Sequence, residues 1–316
     1  MTGRNSGATR RTPAENAQLA LLLEVAGTPK PGNVDRRRDL EDLRFEHFLA
    51  GTVGAGKGLR RAEHGARVGI AFERAVAGMS RQSGGNTQFG CLLLLVPLVS
   101  AAARGDLTPD GLDRVVADTT VEDAVSFYRA FEHVDVAVRD PPAEMDDLDV
   151  RRGEAAAPTL RERGLTLSDV LALSTGDAAG GGMEEEARGE TDGEPGAETE
   201  AGTRGIPDWN AVDWTTGFER PFAVAASIRD DTGPIGDRTA RAFLEVLADR
   251  PDTLVATSHG PAVARDVSER AADVRGDLEA ADALADALVE EGINPGTTAD
   301  TVAAGLFVAL ERGLSV

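Results

Sequence analysis

Apolar residues recur along this chain at helical spacing, and no stretch alternates regularly enough to read as a strand. That period predicts an all-α protein. Helices are expected near 12–26, 45–56, 60–80, 87–104, 108–118 and 121–138. Others are expected near 207–229, 236–249, 261–275, 278–291 and 298–312, giving roughly ten helices in one compact bundle. Local signals support several starts. Thr12-Pro13-Ala14-Glu15 offers a Thr cap, a Pro at the first helical position and a Glu to close a capping box, and Gly27, Pro29 and Pro31 then stop the helix. Thr108-Pro109 repeats the cap, and "TTVE" at 119–122 predicts another box. "CLLLLVPLV", residues 91–99, has no polar face, which predicts a helix buried on all sides.

Aromatic residues make up only 4% of the chain, so the core must be rich in Leu, Val and Ala. The formal net charge is −21, which disfavours nonspecific binding to nucleic acid or anionic membranes. Acidic residues number 54 against 33 Lys+Arg, and the only lysines are Lys30 and Lys57. Such a surface suits a halophilic protein in a salty cytoplasm, where ions screen its self-repulsion. Cys91 is the sole cysteine, so no intrachain disulfide forms and a reducing, cytoplasmic location is expected. The first residues lack an apolar signal segment, and the longest apolar run is about half a membrane span and contains Pro97. Residues 1–11 are polar and expected to be disordered. Residues 176–205 are acidic and Gly-rich, and are expected to form a disordered insertion in one helical catalytic domain spanning 12–316.

Four segments interrupt strong helices with residues suited to chemistry. In "EVAGTPKPGNVD", 24–35, prolines flank Lys30, whose point charge suits a phosphate; Gly32 lets backbone approach closely and the Asn33 amide can donate. "SGGNTQFG", 83–90, precedes the apolar helix. Asn86 and Thr87 either cap that helix or help its N-terminus hold an anion. "PDTLVATSHG", 251–260, offers Asp252, Thr253 and His259 for metal or ribose contact. In "NPGTTAD", 294–300, a capping box with Thr297 as cap and Asp300 at the third helical position accounts for both residues. "GAGKGL", 54–59, lacks the spacing, the Ser/Thr and the preceding strand of a P-loop.

Taken in this order, these segments resemble the triphosphoribosyl-dephospho-CoA synthase family. "DTTVEDAVSFYRAF" and "GLTLSDVLALS" are similar to its archaeal-type branch. The resemblance implies an all-α fold and transfer of a triphosphoribosyl group from ATP to the 2′-hydroxyl of dephospho-CoA, with adenine leaving. It implies Mg²⁺ with the ATP substrate. It places Lys30, Gly32, Asn33, Asn86, Thr87, Asp252, Thr253, Gly296, Thr297 and Asp300 around phosphate or nucleotide. Glu24 and Asp35 are the acid/base candidates, and Glu24, Asp35 and Asp252 the metal candidates. The chain departs from the family where Gln88-Phe89 replaces a His-Lys pair, and again at Leu254 and Ser258. Two other readings follow from those departures: an enzyme acting on another phosphorylated metabolite in cofactor biosynthesis, or a non-catalytic nucleotide-binding helical protein.

Overall fold

The structure, a computed structural model, describes residues 11–141, 143–175 and 205–316. Most of the expected N-terminal tail and nearly all of the acidic insertion lie outside them. Among the described residues the architecture is entirely helical, with fifteen α-helices against the roughly ten expected. The N-terminal group comprises α1 (Pro13–Ala26), α2 (Phe45–Glu63), α3 (Val68–Met79), α4 (Phe89–Ala103), α5 (Pro109–Ala117) and α6 (Val121–Ala130). Two short 3₁₀ segments, Ala143–Leu148 and Val150–Ala156, lead into α7 (Ala157–Arg163) and α8 (Leu167–Ser174). The C-terminal group is α9 (Trp209–Thr215), α10 (Glu219–Asp230), α11 (Ile235–Asp249), α12 (Thr253–His259), α13 (Pro261–Asp273), α14 (Leu278–Glu290) and α15 (Gly296–Glu311).

The surplus helices have local causes. The span 207–229 is two helices, because Gly217 and Phe218 both adopt positive φ and break it. The stretch 143–174, where long apolar periods are absent, forms short helices and 3₁₀ turns. The expected 121–138 helix ends at Ala130, and "GAGKGL" sits inside α2.

Capping follows the sequence closely at α1, where the Thr12 hydroxyl accepts from the Glu15 amide and the Glu15 carboxylate accepts from the Thr12 amide. At α6 the box lies one residue beyond the expected one, formed by Thr120 and Asp123. The expected cap at Thr297 does not form: α15 already begins at Gly296, and Asp300 lies a full turn inside it.

Two helices organise the core. In α4 every residue from Cys91 to Ala101 is buried, and in α15 every residue from Thr301 to Leu310 is. They pack on each other and on α1, while α15 also meets α10 and α11. Helices without a polar face have nowhere else to go in water. Only the N-terminal ends of α4 and α15, within residues 89–93 and 296–300, line a cavity, and that exception locates the site.

Candidate active site

Beyond α1 the chain turns through residues 27–44, and one carboxylate organises the turn. Asp35 is fully buried and accepts from Thr28 Oγ1 at 2.7 Å, the Lys30 amide at 3.2 Å, and the Arg37 and Arg38 amides at 2.7 and 3.0 Å. The Arg38 guanidinium reaches Asp35 at 3.2 Å and continues to Asp282 and Asp286 of α14. Held this way, the turn directs Lys30 into the protein. Its Nζ has no exposure and lies 2.5 Å from Glu24 Oε1 and 2.9 Å from Asn33 Oδ1. Asn33 Nδ2 in turn donates to Asn294 Oδ1 at 2.8 Å. Burial pushes the Glu24 carboxyl above its usual range, against the pull of Lys30.

Glu24, Asn33 and Asn294 form part of the wall of a cavity of about 660 Å³, within the range of metabolite-sized pockets. The same cavity is lined by Asn86 and Thr87, the first turn of α4, Asn210 of α9, Thr253 of α12, and Gly296, Thr297 and Asp300 of α15. The cavity thus receives the positive ends of two long helices, α4 and α15, a favourable setting for anionic groups. Its ionisable lining is otherwise acidic: Glu24, Asp135, Asp140, Asp149, Asp208 and Asp300 against Arg139.

The most tightly organised group centres on Asp300. Its Oδ1 accepts from the Cys91 thiol at 3.1 Å and its Oδ2 from Asn210 Nδ2 at 2.9 Å. Gly90 makes room for it, because a Cβ there would sit 1.9 Å from Asp300 Oδ2. Asp300 keeps a face toward the cavity, yet protein surrounds it, and this burial raises its pKa to about 7 despite both hydrogen bonds. Burial and the neighbouring carboxylates also push the Cys91 thiol well up, so it is present as a neutral donor.

Comparison with protein-family models matches residues 10–185 and 198–315 to ATP:dephospho-CoA triphosphoribosyl transferase, CitG. The chain belongs to this transferase family. A solved structure from Archaeoglobus fulgidus, provisionally assigned as a triphosphoribosyl-dephospho-CoA synthase, shares the fold, with TM-score 0.64 and 23% identity over 86% of this chain and 100% of that one. A comparison with curated proteins found no match.

In this CitG-family chain, several residues singled out from the sequence line the cavity: Glu24, Asn33, Asn86, Thr87, Thr253, Gly296, Thr297 and Asp300. Four others lie behind its wall. Lys30, expected on phosphate, is enclosed with Glu24 and Asn33. Gly32 adopts φ 71°, and a Cβ there would meet the Ile293 carbonyl at 2.2 Å; its close approach is to the 293–295 turn. Asp35 holds the loop together, as above. Asp252 caps α12 and accepts from the Thr298 amide and hydroxyl at 2.7 and 2.8 Å, tying α12 to α15. Asp35 and Asp252 are thus saturated by internal donors, which leaves Glu24 alone of the three metal candidates on the cavity.

The departures have a physical reading. Gln88 is buried and its amide bonds Thr52 of α2 at 3.0 Å. Phe89 joins Phe72, Phe127 and Phe131 in a ring cluster, with centroids 5.1 Å from Phe72 and 4.8 Å from Phe131. Leu254 packs over Gly296, while Ser258 and His259 are exposed. The α4 N-cap is Gln88, not Asn86 or Thr87, but Asn86 Oδ1 still accepts from the Phe89 amide of the first turn at 3.1 Å. The sequence reading missed Asn210, Cys91 and Gly90. Cys91 and Asn210 lie outside the four segments, and Gly90 closes "SGGNTQFG" without any side chain to mark a role; only the packing of α4, α9 and α15 brings the three together.

Proposed function

We propose that the chain moves the triphosphoribosyl group of ATP onto the 2′-hydroxyl of dephospho-CoA at this cavity. The observation that carries the reading is the family match over both halves of the chain, combined with one chamber that receives Glu24, Asn33, Asn86, Thr297 and Asp300 from segments far apart in sequence. In the transfer, the C1′–N9 bond of ATP breaks, with the electron pair leaving on adenine. The acceptor oxygen bonds C1′ and gives its proton to a base, balancing the proton that adenine takes up. Asp300 is the base in this reading: it lines the cavity near the start of α15, and its pKa of about 7 suits proton transfer at neutral pH. Glu24 supplies negative charge toward the electron-poor C1′. Lys30 holds the Glu24 carboxylate in place and is itself held by Asn33, so the enclosed ammonium does not contact phosphate.

The acidic lining requires cations to accompany a polyphosphate. Among the described residues no group of three or more His, Cys, Asp or Glu is arranged to hold a metal. Glu24, a hard oxygen donor on the wall, would hold a Mg²⁺ brought with the nucleotide, and that ion would supply charge neutralisation to the polyphosphate. We place the chain in a salty cytoplasm on the strength of its charge; melting temperature should rise as KCl is added. No helix among the described residues is long and apolar enough to cross a membrane. The direct test is adenine release from ATP, Mg²⁺ and dephospho-CoA in high salt. Release dependent on dephospho-CoA supports the reading; no release with dephospho-CoA refutes it.

A further inference from the structure

Asn210 is 8% exposed, lines the cavity and donates through Nδ2 to Asp300. Its Oδ1 is buried and has no hydrogen-bond partner among the described residues. Leaving a buried amide oxygen without a donor is costly, and a donor that arrives with a ligand or a water offsets that cost. An amide oxygen accepts only, so the missing partner must be a hydroxyl or amino group. The Asp300 carboxylate, also acceptor-only when ionised, stands one hydrogen bond away. Both residues line the cavity, and two adjacent acceptors match two adjacent donors on a ligand, as in a ribose cis-diol whose hydroxyl reaches the buried Oδ1. They repel a phosphate at either position.

We propose that Asn210 is a specificity-determining residue that accepts a hydrogen bond from the 3′-hydroxyl of the acceptor ribose while Asp300 faces its 2′-hydroxyl. This rests on the transfer reading above. It gives a reason for selecting a dephospho-acceptor: a 3′-phosphate would both remove the donor and set negative charge against Asn210 Oδ1 and Asp300. The Asn210–Asp300 bond also orients the carboxylate toward the adjacent oxygen. Gly90 is what allows both to sit against α4, since a Cβ there would lie 2.7 Å from Asn210 Nδ2.

The test measures kcat/KM for adenine release by the wild-type enzyme with dephospho-CoA, with its 3′-deoxy analogue and with CoA, and repeats the first two with Asn210→Ala. Wild type should lose about tenfold to a hundredfold on the 3′-deoxy acceptor, and more on CoA. Asn210→Ala should be slow with dephospho-CoA but show little further loss on the 3′-deoxy acceptor. Equal wild-type rates with the two acceptors overturn the proposal without any variant. So does an Asn210→Ala enzyme that still discriminates fully. A parallel series with 3′-deoxy-ATP separates the two ribose diols: if the Asn210 effect follows the donor instead, the assignment to the acceptor is wrong. Absence of adenine release from wild type with dephospho-CoA is a different failure, that of the transfer reading itself.

Discussion

Replacing Lys30 with Met decides between two roles for the one lysine placed between prolines. The Lys30 ammonium has no exposure, the Glu24 side chain is 2% exposed, and 2.5 Å separates their charged atoms. Removing the cation strands a buried carboxylate and leaves Asn33 Oδ1 without its donor. Losing one partner of such a pair costs about 3–5 kcal/mol. Urea titration at pH 7 in high salt should show that loss as a lower midpoint with unchanged slope. Adding Glu24→Gln removes the stranded charge and should recover roughly 2 kcal/mol or more. The deficit should also depend on pH. Burial already raises the Glu24 pKa in the folded state, and without Lys30 the opposing pull is lost. A carboxyl whose folded pKa exceeds its unfolded one binds its proton more readily when folded, so stability falls as pH rises through that window. The variant should therefore be closest to wild type at acid pH and furthest from it at neutral pH. An unchanged midpoint together with abolished nucleotide binding would refute this reasoning and return Lys30 to the phosphates.

Four further outcomes follow from the cavity. Asp300→Asn should lower kcat about 10²–10⁴-fold while leaving the fold intact, measured by adenine release and circular dichroism. Wild-type kcat/KM should rise with pH through about 7 as Asp300 loses its proton, and the variant should lack that limb. Gly90→Ala sets a methyl 1.9 Å from Asp300 Oδ2, so it should lose activity and about 1–3 kcal/mol of stability, read by denaturation. Phe89→Lys restores the charge typical of the family but buries it among Phe72, Phe127 and Phe131; a melting scan should show a loss of roughly 3 kcal/mol or more.

The fold was legible wherever local chemistry fixed it. The Thr12 and Thr108 caps and the apolar run after Cys91 placed α1, α5 and α4 nearly to the residue. It was not legible where backbone φ decided, as at Gly217-Phe218, or where helices were too short to show a period, as in 143–174. The site was legible as a set of segments and not as a set of roles. Motif position could not tell that the loop around Asp35 turns Lys30 inward, because that depends on Arg38 gripping α14. Nor could it separate Asp252, saturated by Thr298, from Asp300, which faces the cavity; both are Asp in Thr-rich segments near helix starts. Asn210 carried no signal, since a single Asn after an Asp cap looks like any first turn.

The central claim is that the chamber between the 27–35 turn, the first turn of α4 and the start of α15 is where acceptor and donor meet. A crystal structure with dephospho-CoA and a non-transferable ATP analogue tests it directly. The account predicts the acceptor 2′-oxygen within hydrogen-bonding distance of Asp300, its 3′-oxygen on Asn210, and the donor C1′ in the same cavity beside Glu24. Nucleotide bound elsewhere, or Lys30 released from Glu24 and seated on the polyphosphate, would contradict it.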